Sequence, residues 1–197
     1  MIVREAIPGD CYTIAELHLK SFNDFFLSSL GKRFLETFYK ACINNPDAIA
    51  VVCTTEEGVT TGFALISLKS KGFYRNILVN NFFAFSMEAA RLMFSRPRAL
   101  LRLALNLSKS GSDAGDATEL LSIASLPEYS GRGVGKLLIE TIENNLKDHQ
   151  CNAITLTTDY YDNDKVIDFY RRRGYEIDGD FVTYPQRRMY RLIKYLD

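Results

Sequence analysis

Apolar positions change their period several times along the chain, and each change marks an expected element. Residues 2–6 read as a short strand. Pro8, Gly9 and Asp10 then supply turn residues and a capping carboxylate before Ile14, Leu17 and Phe22 at helical spacing. Phe34, Leu35, Phe38, Tyr39 and Cys42 mark a second helix, which ends near Pro46 because proline cannot continue the hydrogen-bond ladder. The period then shortens to that of strands. Residues 49–53 and 62–66 flank Glu56-Glu57-Gly58, the pattern of an antiparallel hairpin.

Between Phe73 and Leu107 the leucine spacing predicts one or two helices, interrupted at Pro97, and residues 108–117 read as a loop. A strand carrying Leu120, Leu121, Ile123 and Leu126 follows, then an amphipathic helix over 133–147 and a strand over 153–158. Residues 163–173 have helical spacing and stop at Gly174, with further strands around 175–177 and 188–195. No repeat and no Pro- or Ser-rich linker divides the chain. The expectation is a mixed α/β (α+β) fold in one domain, residues 1–197, with 70–117 as a helical insertion.

Composition narrows the function classes. With 47% apolar residues the chain can bury a continuous core. Lys plus Arg equals Asp plus Glu at 24 each, so neither nucleic acid nor a membrane is an expected partner, and any anion site must be local. Cys11, Cys42, Cys53 and Cys151 are scattered, without a CxxC pair or a histidine cluster, so no metal is expected and free thiols are. No basic leader precedes an apolar core, and no apolar run nears the ~20 residues that span a bilayer. A cytoplasmic location is therefore expected.

The local anion site is sought at Ser130-Gly131-Arg132-Gly133-Val134-Gly135, which joins strand to helix. Glycines let the backbone approach a ligand, and the following helix offers unpaired N–H groups and the positive end of its dipole, which suits a pyrophosphate. Chain reversal alone is the competing reading. No Gly-Lys-Ser/Thr follows, so this is not a P-loop, and its place after a hairpin does not suit the dinucleotide fingerprint.

Residues 123–136, Ile-Ala-Ser-Leu-Pro-Glu-Tyr-Ser-Gly-Arg-Gly-Val-Gly-Lys, resemble the acetyl-CoA-binding motif of the GNAT superfamily of N-acetyltransferases. The departures are Ser130, where the family usually has Gln or Arg, and Ser125, where valine is commoner. Asn163 to Tyr170, followed by Arg173-Gly174-Tyr175, is similar to the superfamily's Asn-x-x-Ala-x-x-Phe-Tyr segment, with Val166 replacing alanine. The resemblance implies a central mixed, mostly antiparallel sheet flanked by helices, with acetyl-CoA as co-substrate. It assigns the pantetheine arm to the backbone of Ile123, Ala124 and Ser125. The pyrophosphate goes to Ser130, Gly131, Arg132, Gly133, Val134, Gly135 and Lys136. Asn163 and Tyr170, two helical turns apart, can face the ligand together. Tyr170 is implied as the proton donor to the departing thiolate, and the Ser125 amide as the oxyanion donor.

The expected activity is transfer of an acetyl group to a small-molecule primary amine. Such an amine is protonated at neutral pH, with a reference pKa of about 10.4, so a base is required. Glu119 is the first candidate, since some members of the superfamily use a strand glutamate there through water; Asp159 and Tyr161 compete. Phe22, Phe25, Phe26, Phe34 and Phe38 read as core, and His18 and His149 as structural or surface residues. Arg91, Arg96, Arg98, Arg102 and Lys109 suit either an anionic acceptor or a solvated face. Rival readings are a protein or peptide acetyltransferase, a noncatalytic acyl-CoA-binding module, and an interfacial helix over 91–107. A monomer and a homodimer both remain open.

Overall fold

The central strands are buried almost continuously, as strands covered on both faces must be, whereas the edge strands are largely exposed. In the computed structural model, which describes residues 1–23, 25–109, 117–183 and 186–196, seven strands form one sheet in the order β1-β2-β3-β4-β5-β7-β6. They are β1 (Ile2–Glu5), β2 (Ala48–Thr54), β3 (Thr60–Ser67), β4 (Thr118–Ser125), β5 (Ala153–Asp159), β6 (Glu176–Thr183) and β7 (Arg187–Tyr195). Every neighbouring pair is antiparallel except β4 and β5. The β2–β3 hairpin stands as its sequence predicts, Val51 opposite Ala64.

Helices cover the two faces. Phe63, Leu65 and Val52 point toward α1 (Cys11–Ser21) and α3 (Lys32–Ile43), where they meet Leu35 and Tyr39; the one-turn α2 (Phe26–Ser29) joins those helices. Val51, Ala64 and Ile66 point the opposite way, against Leu138, Ile139 and Ile142 of α7 (Val134–Asp148). Tyr170 of α8 (Asp164–Arg171) packs in the same layer. Each fully buried aliphatic side chain contributes about 1.5–3 kcal/mol relative to exposure.

Residues 73–109 form three helices rather than one or two: α4 (Phe73–Asn80), α5 (Phe82–Ser95) and α6 (Pro97–Lys109). The break at Pro97 is the expected one, since the residue before proline avoids the helical region, and Arg96 lies at φ −146°, ψ 59°. The additional break falls at Asn81, at φ −119°, ψ 32°. Phe73, Ile77, Phe85 and Leu92 anchor α4 and α5 on the α1/α3 layer. The loop expected over 108–117 lies mostly outside the described residues, and α6 continues through its first two positions. Among the described residues no helix is long and apolar enough to cross a membrane.

Candidate active site

The site begins where the parallel pair parts. β4 pairs with β5 only from Thr118 to Leu120, yet β4 continues along β3 to Ser125 and β5 continues along β7 to Asp159. The two strands therefore diverge, and the β5-facing backbone edge of residues 121–125 has no strand partner among the described residues. A cavity of about 860 Å³ opens there, running from the glycine turn to the α1–α2 segment.

The turn is shaped for a ligand. Gly131 and Gly133 adopt φ +76° and +84°, and a Cβ on either would meet nothing within 4 Å, so backbone conformation and not space selects glycine there. Gly133 caps α7, and the first-turn amides of that helix lack intrahelical acceptors. Gly62 of β3 does a different job. A Cβ there would lie 2.6 Å from Val134 Cγ1 and 2.8 Å from the Ala124 carbonyl oxygen, so its absence lets the α7 N-terminus settle onto the sheet.

Ile123, Ala124, Ser125, Ser130, Gly131, Gly133, Val134, Gly135, Lys136, Asn163 and Tyr170 all line this cavity. Arg132 does not; its guanidinium lies 5.3 Å from the Tyr129 ring centre. Asn163 lines the cavity while its amide donates to Thr158 Oγ1 at 2.6 Å and to the Asp159 carbonyl at 2.9 Å, so its donors staple α8 to the end of β5. Tyr170 is 4% exposed, and burial pushes its phenol above the ordinary value, so it holds its proton at neutral pH.

Glu119 does not line the cavity. It sits one residue before the strands part, between Ser67 and Thr155 in register. Burial raises its carboxyl, the Arg191 guanidinium partly opposing this, and its charge is felt by Tyr74 of α4. Asp159 does line the cavity, held by a bidentate ion pair with Arg187, whose guanidinium stacks 4.1 Å over Phe25. Both carboxylate oxygens of Asp159 are engaged by that pair. Tyr161 is 65% exposed.

The end of the cavity against α1 and α2 is walled by residues that the sequence did not assign to a site. Phe22, Phe25 and Phe26 line the cavity, whereas Phe34 and Phe38 are core. His18, read as structural or surface, is 3% exposed in the cavity wall. Its Nδ1 lies 2.6 Å from the Tyr39 hydroxyl, its Nε2 has no hydrogen-bond partner among the described residues, and burial lowers the imidazole to about 4, leaving it neutral. Its spacing, four residues after Ile14 and four before Phe22, carried the signal that it shares their face.

A strand pair parted beside a glycine-capped helix, with a buried tyrosine in the cavity wall, is the arrangement expected from the resemblance to acyl-transferring enzymes. The sequence profile of the acetyltransferase (GNAT) family matches residues 12–175, and the chain belongs to that family, whose members use acetyl-CoA. The S-alkylcysteine N-acetyltransferase of Bacillus subtilis (strain 168) is 42% identical over 78 residues, covering 32% of this chain and 44% of that protein. The match thus spans less than half the length of this curated relative. The ribosomal-protein-S18-alanine N-acetyltransferase of Escherichia coli has the same fold, with TM-score 0.63 and 12% identity over 100% of this chain and 94% of that one. Spermidine N-acetyltransferase of Vibrio cholerae, solved as a mutant, gives TM-score 0.62 and 14% identity over 100% and 95%. At such identities the likeness is one of fold.

Proposed function

We propose that this protein transfers the acetyl group of acetyl-CoA to the primary amine of a small molecule by direct attack within a ternary complex. The observation that carries the choice of a small acceptor is the Arg187–Phe25 stack. It ties β7 to the α1–α2 segment across the acceptor end, where a peptide acceptor would need an open groove. An S-substituted amino acid is the first acceptor to test, because the Bacillus subtilis relative is named for one.

In this reading the backbone of Ile123–Ser125 holds the pantetheine arm and the α7 first turn holds the pyrophosphate. The amine nitrogen bonds to the thioester carbon, the Ser125 amide stabilises the oxyanion, and the C–S bond breaks. Glu119, reached through water, takes the proton that the amine sheds; its raised carboxyl makes it a stronger base than an ordinary carboxylate. Tyr170 gives its proton to the leaving thiolate and regains one from solvent. The 70–117 segment is read as an insertion within one domain; its described residues pack on the α1/α3 layer and do not line the cavity.

The test mixes purified protein with acetyl-CoA and a panel of S-alkyl amino acids, polyamines, amino sugars and peptides, following thiol release. Turnover on a small amine well above that on peptides is the expected result. Faster turnover on peptides overturns the acceptor choice, and acetyl-CoA binding without turnover on any amine overturns the catalytic reading. Glu119→Gln should lower kcat/KM by about 10²-fold and remove the acid limb of its pH profile, which in the parent lies above the usual carboxylate range. The same loss from Asp159→Asn, with Glu119→Gln active, would transfer the base role to Asp159.

A further inference from the structure

Helix α5 is apolar on two opposite sides. Phe85 and Leu92 face inward, 6% and 4% exposed. Phe83, Met87, Ala90 and Phe94, spaced four, three and four residues apart, form the opposite stripe, with Phe83 85%, Met87 73% and Phe94 88% exposed. Phe82 and Met93 widen it. A solvated helix face ordinarily carries polar side chains, and a contiguous exposed apolar stripe marks a surface that something covers.

Charge says what covers it. From Lys71 to Lys109 the sequence holds seven lysines and arginines against the single acidic residue Glu88, in a chain whose formal charge is zero. The balance is neutral in sum and uneven in distribution. Arg75, Arg91 and Arg98 are exposed and make no ion pair among the described residues. Arg91 lies along the edge of the stripe, about 80° around the helix from Phe83.

We infer that the outer face of α5 docks on an anionic lipid surface. Its phenylalanine and methionine side chains enter the boundary between headgroups and acyl chains, and the flanking arginines meet lipid phosphates. A second copy of this chain is a poor cover, since a two-fold contact through this face would set one positive patch against another. The segment lies on the surface rather than spanning it: α5 is 14 residues, about 21 Å long, against a hydrocarbon core of about 30 Å. Arg96 donates to the Ser29 carbonyl at 2.8 Å and Arg102 lies 5.0 Å over Phe26, so docking brings the acceptor end of the cavity near the bilayer. The inference stands apart from the acetyl-transfer reading.

The experiment is co-sedimentation of the full chain with vesicles of phosphatidylcholine alone and of phosphatidylcholine mixed equally with phosphatidylglycerol, at low and high salt. Binding to the anionic vesicles should exceed that to neutral ones by about tenfold or more and weaken with salt. Phe83→Ser/Phe94→Ser and, separately, Arg91→Glu/Arg98→Glu should each cut it by about tenfold or more while Tm stays within a few degrees of the parent. If one variant unfolds, the other decides. Three results overturn the proposal: no preference for anionic vesicles, binding untouched by the folded variants, or a parent dimer that the Phe83→Ser/Phe94→Ser protein loses in light scattering, which would make a second copy the cover.

Discussion

The two ends of the cavity are built by different means. The donor end comes from one nearly continuous stretch, β4 through α8, and presents backbone: a strand edge left without a partner, glycines at positive φ and the first turn of a helix. The acceptor end is assembled from side chains of distant segments, His18, Phe22, Phe25 and Phe26 near the start of the chain and Arg187 near its end. In the proposed reading a donor site made of amides tolerates side-chain change, so serine at 125 and 130 is compatible with it. A site made of side chains has no such tolerance, and its selectivity can change without altering the fold.

That contrast can be broken at several points. Tyr170 is the one donor-end residue argued to act through its side chain, so Tyr170→Phe should lower kcat by about 10²-fold or more and leave acetyl-CoA affinity within about twofold. Equal losses in both, measured by steady-state kinetics and calorimetry, would return Tyr170 to a packing role.

At the acceptor end, His18 makes stability depend on pH. Its imidazole is lowered from 6.5 to about 4, so between those values the unfolded chain binds a proton that the folded chain refuses. Its contribution is complete above about pH 6.5 and is lost as pH falls toward 4, by up to about 3 kcal/mol. Urea unfolding across that window should show a shallower pH slope for His18→Gln than for the parent; equal slopes would mean that the ring is not held neutral. The smallest effect expected is Gly133→Ala. A Cβ has room there but must adopt φ +84°, a strain of about 1–2 kcal/mol, raising the acetyl-CoA Kd by about tenfold with the acceptor KM unchanged. Unchanged affinity would show that the turn does not set the amides.

Legibility followed the same division. The strand–turn–helix around Gly131 and the Asn163–Tyr170 helix were readable because period, caps and glycines are local signals. What escaped depended on partners far along the chain. Nothing near Glu119 in sequence announces Tyr74 or Arg191, and Arg187 gains its meaning only when β7 brings it against Asp159 and Phe25. The sequence pattern predicts a strand only around 175–177, whereas β6 runs Glu176–Thr183, because Asp178, Gly179 and Asp180 lower its strand propensity and its pairing with β7 shifts register between Ile177 and Gly179. Asn81 breaks the helix without proline or glycine to announce it, so two helices read as one.

The arginines gathered on α4–α6 have a consequence on the scale of the whole molecule. Residues 71–109 hold seven of the 24 lysines and arginines but one of the 24 acidic residues, a net +6 balanced by −6 over the rest of a polypeptide of zero formal charge, and such a separation gives a permanent electric dipole. It will be retained by a cation-exchange resin at a pH where its net charge predicts that it should flow through. For the same reason, a charged boundary will orient the tumbling molecule before any side chain touches it.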